Sequence, residues 1–213
     1  NDVFIFLLFY MMEVLKFGGT SMGSVEALEK VVAIIEEKKK AQKKIVVTCS
    51  AMSKITDKLL EVGRLAEQGQ KEACLQKLEE IKDRHRDAAQ AFEVEKDFDQ
   101  SVDSLFEDLQ NLINGVVLIH ELSERSLAYL TSFGERLSTR LLTVILQSRG
   151  FSAQQFDSLF IKTLGKSFWE DDILWEETYE ATQKTLLPVL EQDEIPIVTG
   201  FFGTNAGEKI SLL

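Results

Sequence analysis

The chain has 213 residues and a mass of 24.1 kDa, so one large α/β domain or two small domains would both fit its length. Its apolar share of 45% and charged share of 28% are typical of a globular protein and exclude a fibrous or disordered one. The net charge of −11 and the isoelectric point near 4.8 argue against nucleic acid or an anionic membrane surface as a partner.

Residues that form disulfides or metal sites are scarce. The two cysteines, Cys49 and Cys74, form no C-x-x-C pair, which favours a reducing, cytoplasmic compartment. Cys49 lies in an apolar run, so we predict that it is a small buried side chain. Only two histidines are present, and we predict no metal site. His85 stands in the charged stretch 82–87, which predicts a solvated helix face.

The first residues form a separate apolar segment. Residues 3–12 are apolar throughout, but spanning a bilayer takes about 20 residues. The segment also lacks the positive flank and the small-residue cleavage site of a signal peptide. We interpret residues 1–11 as an extension that precedes a natural start at Met12. An added edge strand is the alternative.

A strand, a glycine loop, a helix and a second strand follow. Val14–Phe17 is a short apolar run that ends at Gly18 and Gly19, as a buried strand does before a tight loop. Ser24 is suited to cap a helix with apolar residues at the 3.6-residue period. Ile45–Cys49 is a continuous β-branched run. This order predicts a βαβ unit and therefore a parallel sheet.

A long helical stretch comes next. Amphipathic patterns predict a helix from residue 55 to Gly69 and two more helices over 70–93 and 97–113. Asn114–Gly115 predicts a turn. We expect these helices to form an excursion at about 54–118, on one side of the sheet.

The last third of the chain alternates between helices and strands. Ser132–Glu135 has the S-x-x-E spacing of a capping box, which predicts a helix start there and an end at Gly150. The remaining predicted elements are a strand within 151–156, a helix over 176–190 and a strand over 195–199. Glu135 has two interpretations: a cap for backbone donors, or a carboxylate that accepts hydrogen bonds from an ammonium group.

Three predicted strands end in polar or glycine-rich loops, at residues 18–21, 50–53 and 200–203. Ligands of open α/β sheets bind outside the carboxyl ends of the strands, so we expect these loops to meet there. Gly18 and Gly19 would let backbone N–H groups approach a phosphate, beside the charge of Lys16. The loop has neither the Walker A nor the G-x-G-x-x-G spacing. A simple tight turn, with Lys16 reaching to the surface, is the alternative.

Four motifs in order resemble those of the aspartokinases, in the amino-acid kinase family. The motifs are Lys16–Ser21, Val46–Met52 with Ile55–Asp57, Ser132–Arg136, and Val198–Gly203. The resemblance implies an α/β fold, a three-layer αβα sandwich with a mainly parallel central sheet. It also implies phosphorylation of the β-carboxylate of L-aspartate by ATP with Mg²⁺, the first step towards lysine, threonine and methionine, in a homodimer.

The resemblance also implies roles for individual residues. Lys16 would neutralise charge on the transferring phosphoryl group, and the loop formed by Gly18, Gly19, Thr20 and Ser21 would hold the ATP phosphates. The aspartate pocket would be lined by Ser50, Thr56, Glu135 and Phe201, with Glu135 facing the substrate ammonium group.

The family pattern continues with a G-R-G-G-S-D segment, whereas this chain ends at Leu213. We therefore expect residues 12–213 to be the aspartate-binding, N-terminal part of an amino-acid kinase domain, truncated before the nucleotide-binding lobe. Alone, it is expected to be inactive or nearly so. The alternatives are another amino-acid kinase, or a non-catalytic partner that dimerises with an intact enzyme.

Overall fold

A computed structural model describes residues 12–205, 207 and 209–213, so the interpretation of residues 1–11 lies outside the described part. The strands are β1 (Met12–Phe17), β2 (Lys44–Cys49), β3 (Ala153–Phe156), β4 (Lys162–Thr163), β5 (Ile195–Thr199), β6 (Phe202–Asn205) and β7 (Ile210–Leu212). The helices are α1 (Val25–Lys40), α2 (Ile55–Glu67), α3 (Lys71–Ala91), α4 (Glu95–Ile119), α5 (Glu124–Ser148) and α6 (Trp175–Glu191).

The central sheet has four parallel strands in the order β1-β2-β5-β3. The predicted βαβ unit is confirmed, because β1 pairs with β2 in parallel and α1 connects them. Ser24 caps α1 as predicted: its side chain accepts a hydrogen bond of 3.2 Å from the backbone N–H of Ala27. Because every pairing in this sheet is parallel, the carboxyl ends of all four strands lie at one edge.

Helices cover both faces of this sheet, which confirms the αβα sandwich. Alternate residues of a strand point to opposite faces. Val47 and Ile197 belong to the large core that includes residues of α1 and α5. Val46 and Val198 point the other way and pack with Leu186 of α6. The two clusters define the two sides of the parallel sheet.

A second, three-stranded sheet was not predicted. Its order is β4-β6-β7, with β4 parallel to β6 and β6 antiparallel to β7. The two longer strands pack through Phe202, Ile210 and Leu212 against Ala128 of α5. Gly203 permits the close approach of β6 to the preceding loop, since a Cβ there would lie 2.5 Å from the carbonyl oxygen of Ile161. This sheet extends the fold beyond the carboxyl edge of β5.

Helices α2, α3 and α4 pack together and against α5, and their buried stripes join the large core. The predicted turn at Asn114–Gly115 is wrong, because α4 continues to Ile119 and ends at His120, which has a φ of +54°. A Cβ at Gly115 would meet no atom within 4 Å, so the glycine serves no turn or close contact. Among the described residues, no helix combines the length and apolar character that crossing a membrane would require.

The prediction that His85 is solvated is also wrong, since its side chain is fully buried in α3. Its Nδ1 lies 2.8 Å from the carbonyl oxygen of Ile81, and its ring stacks on Phe98 with centroids 6.1 Å apart. His85 follows Ile81 by four residues, which places both on the buried face, while charged neighbours occupy the other faces. Cys49 is buried, as predicted.

The stability of the chain is expected to fall in acid through His85. Burial, helped by the nearby charge of Arg84, lowers the pKa of His85 from 6.5 to about 4. The unfolded chain therefore binds a proton more readily, and stability is lost as the pH falls from 6.5 to 4. At 1.36 kcal/mol per unit of pKa, the loss is about 3 kcal/mol.

Urea unfolding of the wild type and of His85→Leu, measured across this pH range, tests that expectation. The variant should lack this part of the acid destabilisation. His120→Gln, at an exposed histidine, is the matched control and should behave as the wild type. An unchanged pH dependence in His85→Leu would show that other groups cause the acid sensitivity.

Candidate active site

The structure brings the three predicted loops together at the carboxyl edge of the central sheet. The backbone N–H of Ser50 donates to the carbonyl oxygen of Phe17 at 3.0 Å. The N–H of Ser53 donates to the oxygen of Gly19 at 3.1 Å, and the N–H of Gly200 donates to the oxygen of Cys49 at 3.4 Å. The loops after β1, β2 and β5 are thus neighbours.

The two glycines of the loop after β1 differ in their surroundings: packing requires a glycine at Gly19 but not at Gly18. A Cβ at Gly19 would lie 3.0 Å from the carbonyl oxygen of Ala51, so the close contact with the loop after β2 needs a small residue. A Cβ at Gly18 would meet no atom within 4 Å. The space beside Gly18 is therefore open, which leaves its backbone accessible to a ligand.

Polar and charged residues lie on both sides of Gly18 in the chain. Lys16 is exposed near the end of β1, Thr20 is exposed and Ser21 is half-buried in the loop. The loop leads into α1, whose first-turn N–H groups carry partial positive charge. Lys16 and the loop together suit an anion such as a phosphate.

Glu135 does not lie at a helix start, so the predicted capping box is wrong. Helix α5 begins at Glu124 and is capped by Ser123, whose Oγ accepts a 3.2 Å hydrogen bond from the N–H of Ser126. Ser132 and Glu135 lie inside the helix. Their three-residue spacing occurs in helix interiors as well as at starts, so the motif alone does not distinguish the two.

Gly134 explains why α5 comes so close to the sheet edge. A Cβ at this position would lie 2.8 Å from the Cβ of Ala51, in the loop after β2. The contact between α5 and this loop is also stabilised by a hydrogen bond of 3.0 Å from the N–H of Met52 to the Oγ of Ser138. Any side chain at Gly134 would push α5 away from this loop and would displace Glu135 from the edge of the sheet.

The Glu135 carboxylate faces the loop after β5. Its Oε1 and Oε2 atoms lie 3.7 and 3.8 Å from the position that a Cβ on Gly200 would occupy. Only 6% of Glu135 is exposed, and Oε2 has no hydrogen-bond partner within the described part of the chain. Burial raises the pKa of Glu135 to about 8, although the positive charge of Lys16 opposes this rise. The buried Glu135 carboxylate is therefore suited to bind a positively charged group of a ligand.

The other predicted aspartate-pocket residues lie on the adjoining loops. Ser50 directly follows β2, and Thr56 lies in the first turn of α2; both are half-buried. Phe201 follows Gly200 and is 53% exposed, with a φ of +62°. A non-glycine residue in the left-handed region stores backbone strain, as is common at ligand sites.

Asp157 is a further residue at this edge that the sequence prediction missed. It directly follows β3 and forms ion pairs with Arg136 and Arg140 of α5, with N–O distances of 3.2 and 3.6 Å. The signal that could have found it is its position, since a polar residue immediately after a predicted parallel strand belongs to the carboxyl edge. Asp157 attaches α5 to the end of β3.

Ser158 and Thr199 hold the loop that carries Phe201. The N–H of Ser158 donates to the Oγ1 of Thr199 at 2.8 Å, and the Oγ of Ser158 donates to the carbonyl oxygen of Phe202 at 2.6 Å. Both side chains are buried. These bonds fix the backbone on both sides of Gly200 and Phe201.

Comparisons with known proteins show the family to which this chain belongs. The model of the amino acid kinase family matches residues 11–212. The chain belongs to the amino acid kinase family. It is 35% identical over 199 residues to aspartokinase 3, chloroplastic, of Arabidopsis thaliana, and 27% identical over 206 residues to the aspartokinase of Candida albicans. These alignments cover 89% and 90% of this chain, but 34% and 38% of the two relatives.

The fold is shared with a solved aspartokinase. The crystal structure of E. coli aspartokinase III in complex with aspartate and ADP superposes with a TM-score of 0.82 at 25% identity. The superposition covers 95% of this chain and 43% of that one. The resemblance and the α/β fold inferred from the sequence are thus confirmed, and this is an aspartokinase-like amino-acid kinase domain. It spans about a third of the length of the Arabidopsis relative.

Proposed function

We propose that this chain provides the aspartate-binding side of an aspartate kinase, which transfers the γ-phosphoryl group of ATP to the β-carboxylate of L-aspartate. The observation that carries this proposal is the buried Glu135 carboxylate, which lies beside the loop after β5 and within the electrostatic influence of Lys16. The similarity to aspartokinases, one of which was solved with aspartate and ADP, supports it.

On the aspartate side, Glu135 accepts hydrogen bonds from the ammonium group of the substrate. Ser50 on the loop after β2, Thr56 in the first turn of α2 and Phe201 on the loop after β5 line the pocket. An ammonium group next to Glu135 favours its charged form and lowers its pKa. Because the pKa in the free chain is about 8, binding at neutral pH releases a proton from Glu135.

On the phosphate side, the backbone N–H groups of Gly18 and Gly19, with Thr20 and Ser21, hold phosphate oxygens. One oxygen of the β-carboxylate attacks the γ-phosphorus, the bond from phosphorus to the bridging oxygen breaks, and ADP leaves. The product is 4-phospho-L-aspartate. Lys16 stabilises the charge on the transferring group, so positioning and charge carry the catalysis.

We propose that magnesium enters the site bound to ATP. No cluster of three or more metal-ligating side chains lies in residues 12–205, 207 and 209–213. Magnesium is commonly held by substrate phosphates with few protein ligands, and we therefore assign it none here.

We also propose a homodimer, a cytoplasmic location and a place at the start of lysine, threonine and methionine synthesis. The similar aspartokinase 3 of Arabidopsis thaliana is a chloroplastic enzyme.

Calorimetric titration of the 213-residue chain with L-aspartate and with succinate tests the aspartate site. Succinate has both carboxylates of aspartate but no ammonium group, so we expect it to bind at least about tenfold more weakly. Equal affinity for the two ligands would contradict the role of Glu135. A preference for L-glutamate over L-aspartate would indicate a different amino-acid kinase.

A further inference from the structure

A cavity of about 480 Å³ lies on the side of α5 that Arg136 faces. Among the described residues it is bounded by the start of α5, by Leu112 of α4, by Leu159 after β3, and by Lys209 and Ile210. Its polar lining residues are Ser123, Arg125, Ser126, Tyr129, Arg136 and Lys209. The residues proposed for the aspartate and phosphate sites do not line it. We call it the basic cavity.

The charge of this lining contrasts with that of the whole chain. Arg125, Arg136 and Lys209 supply three positive charges, and none of the described lining residues is a carboxylate. The chain as a whole carries −11. A concave surface lined by charges of one sign concentrates the opposite sign, so the basic cavity attracts anions.

Arg136 in the cavity wall and Arg140, one helical turn further along α5, share one carboxylate partner. The side chains of Arg136 and Arg140 are only 8% and 13% exposed, and both pair with the single carboxylate of Asp157. Burial lowers the pKa of Arg140 even though Asp157 opposes the shift. A buried charge without full compensation is costly, and an anion in the cavity would compensate it.

Arg136 is also held in position for a ligand. Its Cζ lies 5.2 Å from the ring centre of Tyr129, 5.3 Å from that of Phe133 and 5.6 Å from that of Phe202. Its Nε faces Asp157 without a hydrogen bond in the described part of the structure. A guanidinium group fixed in this way is suited to bidentate binding of a carboxylate or phosphate.

We propose that the basic cavity binds a small anion that carries two or more carboxylate or phosphate groups. Arg136 binds one group at the base of the cavity. Arg125 and Lys209, which are exposed, bind a second group, and the hydroxyls of Ser123 and Ser126 at the start of α5 add polar contacts. The site depends on the fold and not on the proposed kinase activity.

Titration of the 213-residue chain with citrate and with pyrophosphate, at constant ionic strength, tests this proposal and distinguishes the two chemistries. We expect saturable binding of at least one anion. The double variant Arg125→Gln/Lys209→Gln should weaken that binding by about tenfold or more, because two charged contacts are lost. Both residues are exposed, so the variant should keep the fold.

Two controls separate this site from other anion sites. Lys16→Ala should retain the binding, since Lys16 lies in the phosphate loop of the candidate active site. Arg149→Gln removes an exposed charge at the other end of α5 and should have no effect. The proposal is overturned if neither anion saturates, if the double variant binds as the wild type does, if only Lys16→Ala abolishes binding, or if Arg149→Gln is equally harmful.

Discussion

Replacing Lys16 by alanine is expected to lower aspartate kinase turnover by about a hundredfold or more while the fold is retained. Lys16 is exposed near the end of β1, beside the open space at Gly18, so its loss removes charge and little packing. Removal of one preorganised group that stabilises transition-state charge costs about a hundredfold to a thousandfold in turnover.

The measurement is ATP-dependent formation of aspartyl hydroxamate. It is best made in a full-length kinase that carries residues 12–213 in place of the matching segment of E. coli aspartokinase III. Lys30→Ala, which removes an exposed lysine from α1, is the matched control and should leave turnover unchanged. Near wild-type turnover in Lys16→Ala would refute the catalytic role.

Glu135→Gln is expected to stabilise the chain and to weaken aspartate binding. The pKa of Glu135 rises from 4.5 in the unfolded chain to about 8 in the folded one. The folded state therefore holds its proton more tightly, and stability is lost as the pH rises from 4.5 to 8. The neutral amide avoids this loss, which at pH 8 amounts to about 4 kcal/mol at 1.36 kcal/mol per unit of pKa.

The opposite effects on stability and binding make the test selective. Urea unfolding should show a gain for Glu135→Gln that grows between pH 5 and pH 8. Titration should show L-aspartate binding at least about tenfold more weakly, because a neutral amide replaces a charged partner of the ammonium group. Glu29→Gln, at an exposed position of α1, should change neither. A loss of stability at pH 8 would mean that the Glu135 carboxylate is already compensated in the fold.

The sequence was sufficient for the parts of the site that depend on local patterns. Short apolar runs that end in polar or glycine-rich loops placed β1, β2 and β5, and parallel pairing then required these loops to meet at one edge. The glycines at positions 18 and 19 signalled the loop directly. These features depend on a few neighbouring residues and on a general rule of sheet topology.

The parts that were missed depend on contacts between distant residues. The S-x-x-E spacing did not show that α5 starts at Glu124 and passes Ala51 at Gly134, because that approach is a tertiary contact. The burial of His85 depends on Phe98, on the next helix. The three-stranded sheet was missed because its strands are two to four residues long and too short for a periodic pattern.

Helix α5 carries Glu135 and Arg136 side by side, yet their side chains face different places. Glu135 faces the loop after β5, and Arg136 lines the basic cavity. Successive residues of a helix are rotated by about 100° around its axis, so one rigid turn sets both directions. The contact at Gly134 and the ion pairs with Asp157 therefore both fix the rotation of α5 about its axis. A rotation of this helix would move Glu135 and Arg136 together and would change both sites.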